Sequence, residues 1–93
     1  MAKATAAAMG RLSGKIAVVT GAAGNLGGHI CAHYLAEGAT VVMTGRNAER
    51  TAAAAAALLA QTGAPAERLA TVTLDGGDPV SVRAAMAEVE ARF

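Results

Sequence analysis

A glycine-rich segment between an apolar run and a helical pattern constrains the fold of this chain more than any other feature. Residues 15–20 form a short, continuous apolar run, which predicts a strand buried on both faces, as in a parallel sheet. The glycine-rich stretch 21–28 follows, and a helical pattern continues from it to Gly38. Two sets of residues at helical spacing support this helix: Leu26, Ile30 and Tyr34, and Gly27, Cys31 and Leu35. Strand, glycine loop and helix in this order predict the start of a βαβ unit.

The same cycle repeats along the rest of the chain. Residues 40–44 and 69–74 predict two further buried strands. Asn47 is a suitable N-cap for a second helix that ends at Gln61, before a Gly-Ala-Pro sequence at 63–65.

A third helix is predicted after the third strand, with Asp78 as its N-cap and Pro79 at its first position. The resulting β-α-β-α-β-α pattern predicts an α/β protein, namely half of a doubly wound, Rossmann-type fold. Its three parallel strands are expected in the spatial order 3-2-1. The first two helices are expected on one face of the sheet and the third helix on the other.

Composition and charge exclude several classes of partner and site. The net charge is +1, and no basic cluster or aromatic platform predicts nucleic-acid binding. No apolar run approaches the roughly 18 residues of a membrane span, and residues 1–10 lack the apolar core of a signal peptide. The single cysteine excludes an intramolecular disulfide and a cysteine-based zinc site, and it favours a reducing, cytoplasmic location.

The loop between the first strand and the first helix has the sequence Thr-Gly-Ala-Ala-Gly-Asn-Leu-Gly. Glycines allow a tight turn and let a diphosphate approach the backbone, and the helix N-terminus offers free N–H groups and the positive end of the helix dipole. We therefore predict a partial dinucleotide-binding domain over residues 11–93, after a flexible tail over residues 1–10. The alternative is a tight turn without a ligand. The predicted cofactor-binding residues of the loop are Thr20, Gly21, Gly24, Asn25, Leu26 and Gly27.

From about residue 11 to residue 93, the chain resembles the N-terminal, cofactor-binding portion of the short-chain dehydrogenase/reductase family. The resemblance rests on Leu-Ser-Gly-Lys at 12–15, Thr-Gly at 20–21 and Glu-Gly-Ala at 37–39. The glycine spacing, at 21, 24 and 27, is that of the extended branch, whereas the rest is similar to the single-domain branch, which usually has glycine in place of Asn25. Asparagine tolerates a left-handed backbone, so the turn is expected to survive this difference.

The end of the second strand predicts which nicotinamide cofactor binds. NAD sites place an acidic residue here to bind the ribose hydroxyls, but this chain has Gly45 followed by Arg46. A guanidinium pairs with a 2′-phosphate, so NADP is favoured over NAD, with Thr44 and Asn47 as further hydrogen-bonding groups. The alternative for Arg46 is a solvated loop arginine. The resemblance implies that Asp75, at the end of the third strand, accepts a hydrogen bond from the adenine amino group. The alternative is an ordinary aspartate facing water.

No metal site is predicted. His29 and His33 are four residues apart on the first helix, but Cys31 falls on the far side of the helix from both, and two ligands do not make a zinc site. We interpret the histidines as solvated, the cysteine as a packed core residue, and Tyr34 as packed on the sheet.

The resemblance implies hydride transfer between a nicotinamide cofactor and a carbonyl or alcohol carbon. Such a reduction needs a proton donor for the developing alkoxide and a hydrogen-bonding partner for its oxygen. The family supplies these from Ser, Tyr and Lys residues beyond its fourth strand. The only tyrosine, Tyr34, is followed four positions later by Gly38 instead of lysine. We therefore predict the NADP(H)-binding segment of a short-chain oxidoreductase, with no catalytic residues and no catalytic competence in these 93 residues alone.

Two alternatives stay open at this point. One is a stand-alone nucleotide-binding or interaction module without chemistry of its own, and the other is a non-functional truncated product. In each case the first strand would present an unpaired edge that no charge or proline protects. We expect the isolated chain to dimerise or aggregate through this edge.

Overall fold

The structure, a computed structural model, describes residues 10–93, so the predicted tail lies outside the described residues except for Gly10. Within the described part, three strands alternate with three α-helices, and the predicted order of elements is confirmed. The bounds are β1 Ile16–Val19, α1 Asn25–Ala36, β2 Thr40–Gly45, α2 Ala48–Thr62, β3 Leu69–Thr73 and α3 Pro79–Arg92, with a short 3₁₀ turn, Ala66–Arg68, before β3.

The strands form one parallel sheet with β2 in the centre, in the spatial order β1-β2-β3. Strand β2 pairs with β1 through residues 40–43 and with β3 through residues 41–45. Because β2 is paired along both edges and covered on both faces, residues 41–44 are buried. The predicted half of a doubly wound fold is confirmed.

The helices divide between the two faces of the sheet, as predicted. Alternate residues of a strand point to opposite faces, so Met43 joins one core and Val42 the other. The first core, beneath α1 and α2, includes Val19, Cys31, Leu35, Val41, Met43 and Leu58. The second core, beneath α3, consists of Val42, Val72, Leu74, Ala85 and Val89. Among the described residues, no helix is long and apolar enough to cross a membrane.

The helix termini form where the sequence predicts them. The Oδ1 atom of Asn47 accepts a hydrogen bond from the N–H of Arg50 at 3.0 Å and caps α2. That helix ends at Gly63, whose φ of 67° is left-handed. Asp78 caps α3 by accepting from the N–H of Val80 at 3.0 Å. Each cap satisfies a backbone donor that the helix itself leaves without a partner.

The prediction for α1 is confirmed for one apolar set, and in the other set it is wrong for Leu26 and Tyr34, whereas Ile30 packs against the first core. Gly27, Cys31 and Leu35 are buried, but Leu26 is 74% exposed and Tyr34 is 37% exposed, so Tyr34 does not pack into the sheet. The buried set faces the sheet, and Gly27 at its start has no Cβ to hold the helix away from the loop at residues 21 and 22. The neighbouring stripe of larger residues then lies at the margin of the contact.

The 3₁₀ turn was not predicted, and neither was the role of Arg68 within it. Its Nη1 donates hydrogen bonds to the carbonyl oxygens of Leu35, at 3.2 Å, and Ala39, at 3.3 Å. These carbonyls lie at the end of α1 and just before β2. A cation is favourable at a helix C-terminus, and here it also joins the entry of β3 to the α1–β2 turn.

Candidate functional site

An open cleft of about 660 Å³ lies at the carboxyl ends of β1 and β2. One wall is the glycine loop that follows β1, and the other is the turn from β2 into α2. In open α/β sheets, ligands bind outside the carboxyl ends of the strands. The lining residues are Gly21, Ala23, Gly24, Gly45, Arg46, Asn47, Ala48, Glu49, Arg50 and Thr51.

Each glycine of the loop wall serves a different geometric purpose. Gly21 has φ +61°, a left-handed conformation that favours glycine. Gly24 is the N-cap of α1 and has extended backbone. A Cβ on Gly27 would lie 2.4 Å from the carbonyl oxygen of Gly21 and 2.9 Å from Cα of Ala22, so this position needs glycine for close packing. The three glycines therefore fold the loop tightly against the start of α1.

Asn25 does not take the left-handed conformation that sequence analysis allowed for it. Gly21 takes it, and among residues 10–93 no residue other than glycine has a positive φ. Asn25 is instead the first residue of α1 and is exposed. The first helical N–H that bonds back is that of Gly28, to the carbonyl oxygen of Gly24 at 2.9 Å. The N–H groups of residues 25–27 therefore have no intrahelical partner, which makes this end of α1 suitable for an anion.

The predicted loop residues that do not line the cleft are Thr20, Asn25, Leu26 and Gly27. Thr20 is exposed beside the cleft, directly after β1, and Asn25 and Leu26 are exposed at the start of α1. Gly27 is buried beneath the loop. Its contribution in this structure is to hold the loop wall in place.

Of the residues proposed from the sequence at the end of the second strand, Arg46 and Asn47 line the second wall and Thr44 does not. Arg46 is exposed on the lining of the cleft. Asn47 also lines it, although its Oδ1 is already engaged as the N-cap of α2. Thr44 is fully buried, and its hydroxyl donates to the carbonyl oxygen of Val19 at 3.0 Å. The prediction that Thr44 offers a hydrogen bond to a cofactor is wrong, because strand alternation turns its side chain away from the cleft and into the sheet.

Four lining residues of this wall were not predicted, namely residues 48–51, and two of them have side chains that matter below. Arg50, in the first turn of α2, is an exposed lining residue four positions after Arg46. Thr51 follows it and is buried, with its hydroxyl donating to the carbonyl oxygen of Asn47 at 2.9 Å. The i, i+4 spacing of the two arginines across the helix start was the available signal for Arg50. No sequence signal pointed to Thr51.

Asp75 lies just beyond β3 and outside the cleft lining. It is exposed, and its Oδ1 accepts a hydrogen bond from the N–H of Gly77 at 3.0 Å. The N–H of Asp75 donates to Oγ of Ser81 at 2.9 Å, so the backbone of Asp75 is tied to the start of α3. This position is at the carboxyl edge of the sheet, beside the end of β2.

The titratable groups outside the cleft form no second centre among the described residues, where no three metal-ligating side chains come together. His29 and His33 are exposed, whereas Cys31 is buried, and burial raises the pKa of its thiol. The N–H and guanidinium of Arg11 lower the pKa of Glu37.

Comparison with known proteins places this arrangement in a family. The model of the short chain dehydrogenase family matches residues 15–93. A D-threitol dehydrogenase from Mycolicibacterium smegmatis is 40% identical over 83 residues, which cover 89% of this chain and 30% of that protein.

Two similar crystal structures contain NADP. The N-domain of a bacterial malonyl-CoA reductase, with NADP, is 76% identical, with a TM-score of 0.88, over 90% of this chain and 15% of that one. The C-domain of a bacterial malonyl-CoA reductase, also with NADP, is 25% identical, with a TM-score of 0.78, over 91% of this chain and 14% of that one. The chain spans less than a third of the length of the curated relatives it matches. On the fold, the glycine loop and the family match over residues 15–93, this chain belongs to the short-chain dehydrogenase family.

Proposed function

We propose that this chain is the N-terminal NADP(H)-binding segment of a short-chain oxidoreductase. The cleft carries the proposal, because it joins a glycine loop at a free helix N-terminus to a wall that has arginines and no acid at position 45. When bound, the nicotinamide cofactor supplies or accepts the hydride. The residues of this chain bind and orient it.

The loop wall is assigned to the diphosphate. The backbone N–H groups of residues 25–27, without intrahelical partners, meet its negative charge at the positive end of α1. Gly21 and Gly24 let the phosphates approach the backbone, and Thr20, Asn25 and Leu26 border the same helix end. Gly27 fixes the distance between loop and helix. By the family resemblance, the carboxylate of Asp75 accepts a hydrogen bond from the adenine amino group.

The second wall is assigned to the 2′-phosphate of NADP. Arg46 and Arg50 are both exposed on the lining, and each guanidinium can donate paired hydrogen bonds to phosphate. Gly45 leaves the phosphate space open, and Asn47 presents its polar side chain beside it. Glu49 lies between the arginines in sequence and limits the net positive charge of the wall. NADP in the two malonyl-CoA reductase structures supports the same preference.

We infer the parent reaction from the malonyl-CoA reductase domains to which this chain is similar. Because the identity is far higher to the N-domain than to the C-domain of malonyl-CoA reductase, we assign the chain to the start of an N-domain-like reductase. The hydride would pass between NADPH and a carbonyl or alcohol carbon of an acyl-CoA-derived substrate. The Ser, Tyr and Lys that this chemistry needs are not supplied by the 93 residues, so the chain alone is expected to bind cofactor without turnover.

Titration with NADPH and NADH tests this function, and the fluorescence of the reduced nicotinamide is a suitable signal because the chain has no tryptophan. We expect NADPH to bind more tightly than NADH. Arg46→Ala should weaken NADPH about tenfold or more, since a hydrogen bond to a charged group contributes about 1.5–3 kcal/mol, and should leave NADH unchanged.

The matched control is Arg83→Ala, which removes the same charge from an exposed site outside the cleft lining. Equal loss in both variants would indicate only long-range charge. Absence of NADPH binding by the unmodified chain would contradict the proposed function. Two alternatives would then remain: an interaction module that binds no nucleotide, and a non-functional truncated product.

We also propose that this chain self-associates and that it is located in the cytoplasm. Strand β1 is at the edge of the sheet, and Ile16 and Val18 are 46% and 36% exposed. An unpaired strand with exposed apolar side chains is a template for pairing with a second copy. The single cysteine, Cys31, is buried and has no second cysteine in these 93 residues to pair with, which suits a reducing compartment.

A further inference from the structure

We propose that Thr51 is a specificity-determining residue, which holds position 45 to glycine and thereby keeps the cleft suited to a 2′-phosphorylated dinucleotide. The inference rests on the proposed function, because it concerns which cofactor the second wall accepts. Thr51 acts through position 45 and not by contact with the cofactor, so its role is a positioning one.

Gly45 is required by space and not by backbone conformation. The φ angle of Gly45 is not positive, so residues other than glycine can adopt its backbone conformation. A Cβ built on it would lie 2.7 Å from Oγ1 of Thr51, a distance that real Cβ atoms essentially never show. Among the described residues, this oxygen is the one atom within 4 Å of that Cβ outside its chain neighbours.

Neither partner of this contact is free to move away. Gly45 pairs with Thr73 in the sheet, and its carbonyl oxygen accepts from the N–H of Leu74 at 2.9 Å. Thr51 is only 2% exposed, and its Oγ1 is held by the hydrogen bond to the carbonyl oxygen of Asn47. Threonine in a helix divides between two χ1 rotamers, and rotation of Oγ1 away from position 45 would break its bond to Asn47. The close approach is therefore fixed from both sides.

The location of Gly45 at the end of β2 connects this contact to the choice between NAD and NADP. An acidic residue at the end of the second strand is the feature that binds the ribose hydroxyls of NAD, and that place is Gly45. Any residue with a side chain there meets Thr51 first. The chain therefore cannot acquire an NAD-type acid at position 45 unless position 51 becomes smaller, and the pair holds the site to NADP.

A double-mutant cycle on stability tests the contact without any cofactor. Thermal unfolding, followed by circular dichroism at one protein concentration, compares the unmodified chain with Gly45→Ala, Thr51→Ala and the double variant. We expect Gly45→Ala to lower Tm by at least roughly 4 °C when Thr51 is present, and by much less in the Thr51→Ala background. Thr62→Ala is the control, because Thr62 makes the same bond to a carbonyl four residues back, at the other end of α2. Additive effects of the two substitutions would overturn the inference.

A cofactor titration then tests specificity. Gly45→Asp alone should weaken NADPH without gain for NADH, whereas Gly45→Asp with Thr51→Ala should bind NADH at least tenfold more tightly than Gly45→Asp alone. Replacement of Thr51 by Val keeps the volume without the hydroxyl, so Gly45→Asp with Thr51→Val should behave like Gly45→Asp alone. Equal NADH affinity in Gly45→Asp and Gly45→Asp/Thr51→Ala would overturn the inference. If the unmodified chain bound no NADPH, the proposed function would fail while the stability cycle still decided the contact.

Discussion

At the scale of single residues, two adjacent glycines of α1 differ in what they do. A Cβ on Gly27 would meet backbone atoms of residues 21 and 22 at less than 3.0 Å, whereas a Cβ on Gly28 would meet nothing within 4 Å. The requirement for glycine at position 27 therefore comes from packing between loop and helix. At position 28 glycine only lowers helix propensity.

We predict opposite effects of the two alanine substitutions. Gly27→Ala should destabilise the chain by about 1–3 kcal/mol, since the backbone must shift to admit the methyl group, and should weaken NADPH binding by moving the loop. Gly28→Ala should stabilise α1 by up to about 1 kcal/mol without displacing the loop. Urea unfolding and NADPH titration of both variants measure these effects. A Gly27→Ala variant as stable as the unmodified chain would contradict the packing described.

At the scale of elements, the residues before β1 are tied to the turn between α1 and β2. The backbone N–H of Arg11 donates to Oε1 of Glu37 at 3.1 Å, and its guanidinium lies 3.4 Å from the same oxygen. The N–H of Leu12 donates to the carbonyl oxygen of Glu37 at 2.9 Å. On the opposite side of this turn, the guanidinium of Arg68 holds the carbonyls of residues 35 and 39. The turn between α1 and β2 is thus bonded to two other segments, the residues before β1 and the 3₁₀ turn before β3.

The Arg11–Glu37 contact predicts a pH dependence of stability. The hydrogen bond from the Arg11 N–H, its guanidinium bond and its charge hold the pKa of Glu37 below its ordinary value of 4.5. The contribution is therefore complete above pH 4.5 and is lost as the pH falls through the lowered pKa of the folded state. We expect Glu37→Gln to lower Tm at neutral pH and to match the unmodified chain once acid has protonated Glu37.

Melting curves from neutral pH down to strongly acidic pH measure this dependence. Because the Arg11 side chain is largely exposed and that of Glu37 is partly exposed, the difference should be small and should shrink in high salt. Glu67→Gln, on the exposed 3₁₀ turn, is the matched control. A difference between Glu37→Gln and the unmodified chain that stayed constant across the acid range would contradict the assigned cause.

At the scale of the whole molecule, one side of the sheet is incompletely covered. α3 covers Val42 and Val72, but Val18, which pairs with Val42 and therefore shares its face, is 36% exposed. Ile16 is 46% exposed on the same strand. The bare face and the unpaired edge of β1 thus coincide on one side of the molecule.

We predict that Val18→Lys reduces self-association, because a lysine on an edge strand opposes pairing with another strand. Analytical ultracentrifugation over a range of micromolar concentrations should find dimers or larger species for the unmodified chain and more monomer for the variant. Val80→Lys adds the same charge at a residue of α3 that is 66% exposed, and should change nothing. A chain that is monomeric at every concentration would exclude pairing through β1.

The sequence by itself determined the order of elements, the parallel sheet, the helix caps and the glycine loop. These depend on residues close in the chain: an apolar run, a glycine after it, Asn47 and Asp78 before their helices. It also placed Arg46 at the end of β2, because a strand end can be located from its own residues. Local patterns of this kind need no knowledge of what packs against them.

Only the tertiary structure decided the contacts between elements. Strand alternation in the assembled sheet buries Thr44 and removes it from the cleft, and the way α1 is rotated against the sheet leaves Leu26 and Tyr34 exposed. The contact of Thr51 with position 45 depends on how α2 turns back over the end of β2. Such contacts are set by where two separately predictable elements meet in space, which no spacing along the chain encodes.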